Sequence, residues 1–320
     1  MQPRYSPQDP ATRGAYHGWT DAIRLGNGVV EAVIVPSIGR VMQFQFAGED
    51  DGPFWENPAL AGGTASPGAR EWANYGGDKI WPAPQTGWSE VIGRAWPPPA
   101  GFDGLPMKVE LAGSGVTLIS AVDAAFGVRT LRRIELRPDR PVMTITTTFE
   151  KIAGDPVEIG VWVITQVKDP VAVLAFPAGD PPSGGAYVRL SDEVPPDLKI
   201  EPGRISLTRD PAKNHKIGLG SGTLLWIGRT ELLRIDSAPR AGGKYPDGGC
   251  SAEVYTNADP LAYVELELLG PLAPMKVGDK IEHVTTYTLA RRSEKDPAAE
   301  SGRLPATPAA PRSSPAPSLP

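Results

Sequence analysis

The sequence predicts an almost all-β chain built on two large, mostly antiparallel sheets packed face to face. Three observations lead there. Glycine and proline contribute 36 residues each to the 320, a richness that accompanies many turns. Between the turns lie short runs that are β-branched or alternate apolar with polar residues. No helical period is sustained for three turns anywhere in residues 16–291.

The first strand run, residues 29–35, is β-branched and stops at Pro36; residues 41–46 alternate. Residues 131–136 and 142–149 flank Arg137-Pro-Asp-Arg-Pro141, a turn signal. Further strands follow at residues 157–167, 223–228, 232–237, 251–257, 262–269 and 280–289. They form a single domain over 16–291, and no internal repeat divides it. Residues 1–15 are polar and proline-broken, and 292–320 are rich in Pro, Ala and Ser. Both ends are expected to be disordered, because such segments bury too little apolar surface to offset their ordering entropy.

Composition narrows the function. Hydrophobic residues make up 40% of the chain and the net charge is −5. That balance supports a substantial core and solubility, and without a Lys/Arg run it argues against nucleic acid or an anionic membrane as partner. No apolar run approaches the roughly 20 residues of a membrane helix. The start lacks a signal peptide's apolar stretch, so the chain as written is expected in the cytoplasm, or in the periplasm or outside if a leader precedes it. The single Cys250 excludes a disulfide framework, and His17, His215 and His283 are too scattered for a zinc site. Neither metal nor cofactor is expected.

One stretch breaks the strand rhythm. Residues 70–106 hold Trp72, Trp81, Trp88 and Trp96, half the tryptophans, among glycines and prolines. Long irregular segments in compact domains are usually functional or disordered, and four tryptophans argue against disorder. The binding surface is placed here. Within it, Asn74-Tyr-Gly-Gly-Asp-Lys-Ile-Trp-Pro-Ala-Pro-Gln85 combines tight-turn glycines, the charges of Asp78 and Lys79, and the ring of Trp81. A sugar needs a flat aromatic face and several hydrogen bonders, and this segment offers both. The competing reading is a structural loop with Trp81 plugging the core.

Two further strands carry polar faces. In residues 262–269, Val264, Leu266 and Leu268 share one face while Glu265 and Glu267 share the other. Carboxylates about 7 Å apart could act as acid and base, or could form a solvated stripe. Glu253, Tyr255 and Asn257 line a similar face after Asp247-Gly-Gly-Cys250, with the same two readings. Gln166, in the apolar run beginning at Trp162, would need partners if buried. Arg40, Arg129, Arg132 and Arg133 read as structural, and none of the histidines adjoins a motif.

Together these segments resemble the galactose-mutarotase-like superfamily, and more closely its uncharacterised DUF4380 branch, over roughly residues 20–291. The resemblance is carried by Leu25-Gly-Asn-Gly-Val-Val-Glu-Ala-Val-Ile-Val-Pro-Ser-Ile-Gly-Arg40, Gly76-Gly-Asp-Lys-Ile-Trp-Pro-Ala-Pro-Gln85, Trp162-Val-Ile-Thr-Gln166, and Tyr263 to Leu289 with its Gly278-Asp279 turn. It implies a β-supersandwich with a carbohydrate cleft on one sheet. Such mutarotases exchange sugar anomers with a glutamate base and a histidine acid, and a second histidine helps bind. Here Ala100-Gly-Phe102 and Ile164-Thr-Gln166 stand where the histidines are expected, so that machinery is missing. Glu265 matches the base. The resemblance therefore implies a carbohydrate-binding protein. Trp81, Trp88 and Trp162 would stack the sugar, and Asn74, Asp78, Gln85, Gln166, Glu253 and Glu267 would bind it. If it is an enzyme, it is an aldose 1-epimerase-like isomerase with Glu265 as base and Lys79 as acid. The alternatives are a non-catalytic glycan-sensing or scaffolding module, or a polysaccharide lyase-like enzyme.

Overall fold

A computed structural model describes residues 11–65, 71–178 and 181–303. Two antiparallel sheets dominate it, as the sequence predicts. The larger runs Ala11–Tyr16, Trp19–Gly26, Val30–Val35, Arg40–Phe46, Asp78–Ala83, Val157–Lys168, Tyr263–Leu269, Ala252–Thr256, His215–Leu219 and Val188–Arg189, with Ala273–Met275 paired to the start of Val157–Lys168. The smaller runs Lys199–Glu201, Arg204–Leu207, Ala172–Pro177, Ser221–Ile227, Glu231–Asp236, Lys280–Arg291, Val142–Lys151, Val128–Leu136, Gly115–Ile119 and Lys108–Ala112. The apolar faces meet between them. Ile23, Phe44, Val264 and Leu266 of the larger sheet join Ile134, Ile145, Leu233 and Leu289 of the smaller in one cluster. Each such side chain, fully buried, contributes about 1.5–3 kcal/mol.

A polar seam crosses this apolar interior. Asp78 points from the larger sheet toward the smaller, where Arg132 and the Tyr287 hydroxyl (2.6 Å) both donate to its carboxylate. Thr165 Oγ1, beside it on the next strand, donates at 2.7 Å. All four side chains are fully buried. Arg132 is thus a structural tie between the sheets, whereas Arg129 and Arg133 pair with Glu150 and Glu135 on partly exposed positions.

Three expectations are corrected. The segment containing the Gly-Gly-Asp-Lys-Ile-Trp-Pro run holds a central strand, Asp78–Ala83, and is not irregular throughout. Its prolines hid it, but the neighbouring strand meets it only at Val41–Asp78, so Pro82 faces a side where no backbone donor is required. Gly76 and Gly77, at φ +95 and +71, lead the chain in. A Cβ on Gly76 would stand 2.2 Å from the Trp55 carbonyl oxygen, so only glycine fits. At the N-terminal end, Ala11–Tyr16 is an edge strand inside the expected arm, anchored by the buried Tyr16, whose hydroxyl donates to Glu56. At the other end, Asp296 caps a short helix, Pro297–Ser301, whose buried Glu300 accepts from the Ser293 backbone N–H at 3.1 Å. Residues 1–10 and 304–320 lie outside the described residues.

Candidate functional site

Strand alternation sends every second side chain of the larger sheet away from the smaller one. Cross-strand register then lines these side chains up. Trp81 lies opposite Trp162, and Lys79 opposite Ile164. Gln166 lies opposite Glu265, and Ile164 opposite Glu267. Glu267 is paired with Glu253, Glu265 with Tyr255, and Tyr255 with Lys216 on the strand beyond. Residues from five strands thereby share one face, and all of Lys79, Trp81, Trp162, Gln166, Glu253, Glu265 and Glu267 are among them.

Two lysines, in three ion pairs, organise that face. Lys79 Nζ donates to Glu265 at 3.1 Å, both buried. Burial lowers the Lys79 ammonium below the ordinary lysine value, against the pull of Glu265. Two strands beyond Glu265, Lys216 Nζ sits 2.6 Å from Glu253 and 3.0 Å from Glu267. Burial alone would lower Lys216, but the two carboxylates outweigh it and hold the ammonium above its usual range. Burial in turn raises Glu253 well above the usual carboxylate range and raises Glu267, against the pull of Lys216 on both; repulsion from Glu267 adds to the rise of Glu253, and repulsion from Glu265 to that of Glu267. The acidic residues are therefore a buried, partnered group and not a solvated stripe.

Aromatic rings wall this group. Trp81 is met edge-on by Trp72, Trp88, Trp96 and Trp162, at centroid distances of 5.7, 5.6, 5.6 and 5.2 Å. Lys79 Nζ lies 5.4 and 5.3 Å from the rings of Trp72 and Trp81, and Lys216 Nζ 4.6 Å from Trp162. Trp162 also donates from Nε1 to Glu267 at 2.7 Å. The wall is fixed by a residue that sequence reasoning missed. Asp103 accepts from the indoles of Trp72 (2.8 Å) and Trp81 (2.9 Å) and pairs with the buried Arg40 at 2.5 Å. An aspartate between Phe102 and Gly104 gave no local sign of this. Trp96, at 46% exposure, is the open member of the wall and was likewise not among the predicted binding residues.

Two predicted binding residues are placed elsewhere. Asp78 belongs to the inter-sheet seam, since it shares a strand with Lys79 and neighbours on a strand face opposite ways. Trp88 is wholly buried and donates to the Pro82 carbonyl at 2.8 Å, so it packs behind Trp81 with no face free for a ligand. Gln85 does lie by the cleft, while Asn74 bonds the Tyr263 hydroxyl. Gln85, Trp162, Lys216, Asp247 and Glu253 help line an open cavity of about 320 Å³. That size lies at the lower end of small-ligand sites.

The buried polar side chains here are partnered within the protein: Asn74 and Gln166 bond the Tyr263 hydroxyl, and Glu267 bonds Glu253. None of the histidines stands on this face by its register or contacts. His215 opens a strand, where a loop was expected, and bonds Asp210 at 2.9 Å. His283 belongs to the smaller sheet, where burial lowers it to about 4, and the partly exposed His17 bonds Glu56. Burial pushes the Cys250 thiol up to about 12, which leaves it unreactive. Among the described residues, no three His, Cys, Asp or Glu side chains converge to hold a metal ion.

No protein-family model and no curated protein matches the sequence. Solved structures do match. A galactose mutarotase-like protein from Lactobacillus casei is 9% identical at a TM-score of 0.56, covering 84% of this chain and 100% of its own. A candidate aldose 1-epimerase from Escherichia coli K12 is 10% identical at 0.56, covering 84% and 98%. A TPR-domain containing protein from Parabacteroides distasonis is 13% identical at 0.59, and the match covers 98% of this chain but 56% of that longer one. The chain has the galactose mutarotase-like fold; the narrower likeness to the DUF4380 proteins rests on the motifs alone. Among the described residues, no helix is long and apolar enough to cross a membrane.

Proposed function

We propose that this chain binds a carbohydrate unit of monosaccharide size on the outer face of its larger sheet. One observation carries the reading: the polar side chains of Gln85, Lys216, Asp247 and Glu253 line an open cavity of about 320 Å³ beside Trp162 and the tryptophan wall. Hydroxyl groups are both donors and acceptors, so a sugar can bond such side chains while its C–H face packs on Trp162 or Trp96. The fold shared with mutarotase-like proteins supports the same assignment.

A second reading, anomeric proton exchange of the aldose 1-epimerase kind, is favoured by the Lys79–Glu265 contact. A buried ammonium beside a carboxylate supplies an acid and a base 3.1 Å apart. The ring oxygen and the hydroxyl oxygen at an anomeric carbon share that carbon, so one such pair reaches both. Histidine has no part in this scheme.

A thermal-shift screen against neutral sugars, sugar phosphates and uronates tests the binding. One class is expected to stabilise the protein, by about 2.7 kcal/mol at a hundredfold excess over Kd. The shift is expected to vanish in Lys79→Ala and Trp81→Ala. No stabilisation by any class would overturn the assignment. With a binder in hand, polarimetry decides the second reading: anomer exchange above the buffer rate supports it, and a bound sugar that exchanges no faster leaves a binding module.

A further inference from the structure

We infer that the ligand is a carbohydrate of two or more linked units, with one unit in the cavity beside Trp162 and the next stacked on Trp96; this rests on the carbohydrate reading above. Among the Phe, Trp and Tyr side chains of the described residues, Trp96 alone is exposed, at 46%. A single exposed apolar side chain is ordinary by itself. What distinguishes this one is its place. Ala95, its neighbour in the chain, lines the cavity together with Trp162, while Trp96 stays outside that lining. Trp81 touches both rings, with its centroid 5.6 Å from that of Trp96 and 5.2 Å from that of Trp162. The exposed ring and the cavity ring are thus no more than two ring contacts apart, within the span of two linked pyranose units.

The exposed ring is also held still. Trp72 and Trp81 meet it in near-perpendicular contacts, at 5.4 and 5.6 Å. Asp103 fixes those two indoles in turn, accepting their N–H groups at 2.8 and 2.9 Å. Directly after Trp96, Pro97, Pro98 and Pro99 are buried, and their rings restrict the backbone that carries it. A tryptophan held in this way presents a broad flat face and loses little side-chain entropy when a sugar stacks on it. The cavity offers less. Trp162 is 3% exposed, and the Lys216 ammonium already stands over its ring at 4.6 Å. Most of the free aromatic surface therefore lies at Trp96, and a unit that fills the cavity leaves it uncovered. The cavity is open, so a linked unit has a way out toward it.

Isothermal titration with glucose, galactose, mannose and galacturonate tests this, against the linked pairs cellobiose, maltose, galactobiose, mannobiose and digalacturonate. At least one disaccharide is expected to bind about tenfold or more tighter than its own monosaccharide, a ratio worth about 1.4 kcal/mol. Trp96→Ala is expected to bring that disaccharide and its monosaccharide to parity. Trp96→Phe, which keeps an aromatic face, is expected to restore most of the difference. Monosaccharides that bind as tightly as every disaccharide, or an advantage that survives in Trp96→Ala, would overturn the two-unit reading and leave the carbohydrate reading standing. Binding of none of these sugars would overturn both.

Discussion

Asp78→Ala is expected to destabilise the protein by about 3–5 kcal/mol, roughly a fifth or more of the stability of an ordinary domain. The size follows from what remains behind. The carboxylate is fully buried between the sheets and takes donors from Arg132, Thr165 and Tyr287, while Arg132 also reaches the Asp78 carbonyl at 3.2 Å. Truncation leaves a guanidinium at 0% side-chain exposure without its counter-charge. An unpaired buried charge is among the few lesions that reach this magnitude. Urea denaturation monitored by tryptophan fluorescence measures it. A loss below about 1 kcal/mol would place the residue outside the seam and return it to the ligand face.

Lys216→Met is expected to cost a similar amount at neutral pH, but with a dependence on pH that Asp78→Ala does not share. In the wild type, Lys216 is held above its ordinary value, so its contribution is fully present below that value and is lost only as the pH rises through the folded one. Glu253 and Glu267 are raised, so the folded chain keeps their protons longer than the unfolded chain. Their contribution to stability is present below the ordinary carboxylate value and lost as pH climbs through the folded ones. With the ammonium gone, both carboxylates move further up, and the loss widens by as much as about 1.4 kcal/mol per pH unit for each proton retained. Urea midpoints at about pH 5 and about pH 8 are expected to show the variant near wild type at the lower value and far below it at the higher. A gap independent of pH would mean that the carboxylates do not depend on Lys216.

Much of this was legible in the sequence where the physics is local. Alternation fixed which of residues 262–269 face the core, and Glu265 and Glu267 do share the outer face. Each of the ten predicted strand runs overlaps a strand, because β-branched runs between turns need no tertiary information. What was missed depends on partners far along the chain. Asp78 and Lys79 are adjacent and both charged, and only the location of Arg132 and Tyr287 decides that one serves the seam and the other the cleft. Lys216 showed no motif, since its meaning comes from two glutamates on other strands. Asp103 acts through two indoles and an arginine, none of them within 20 residues of it. Trp88 was read as a ligand platform because an indole's burial is invisible without its neighbours.

The separations along the chain inside the cleft and the seam also bear on how the protein comes into being. Lys79 and Glu265 are 186 positions apart, Trp162 and Glu267 105, and Asp78 and Tyr287 209. Contacts of such span close only after long loops have been ordered, which places sandwiches of this kind among the slow folders, on the order of milliseconds to seconds. The two halves of each ion pair arrive on different strands, so neither exists in a partly paired sheet. A fragment containing residues 76–85 holds the most recognisable motif of the chain but only one edge of its recognition surface, Lys79, Trp81 and Gln85, without the strands that complete it. Ligand affinity in this protein is therefore a property of the finished sheet, and its appearance during refolding marks the end of the process.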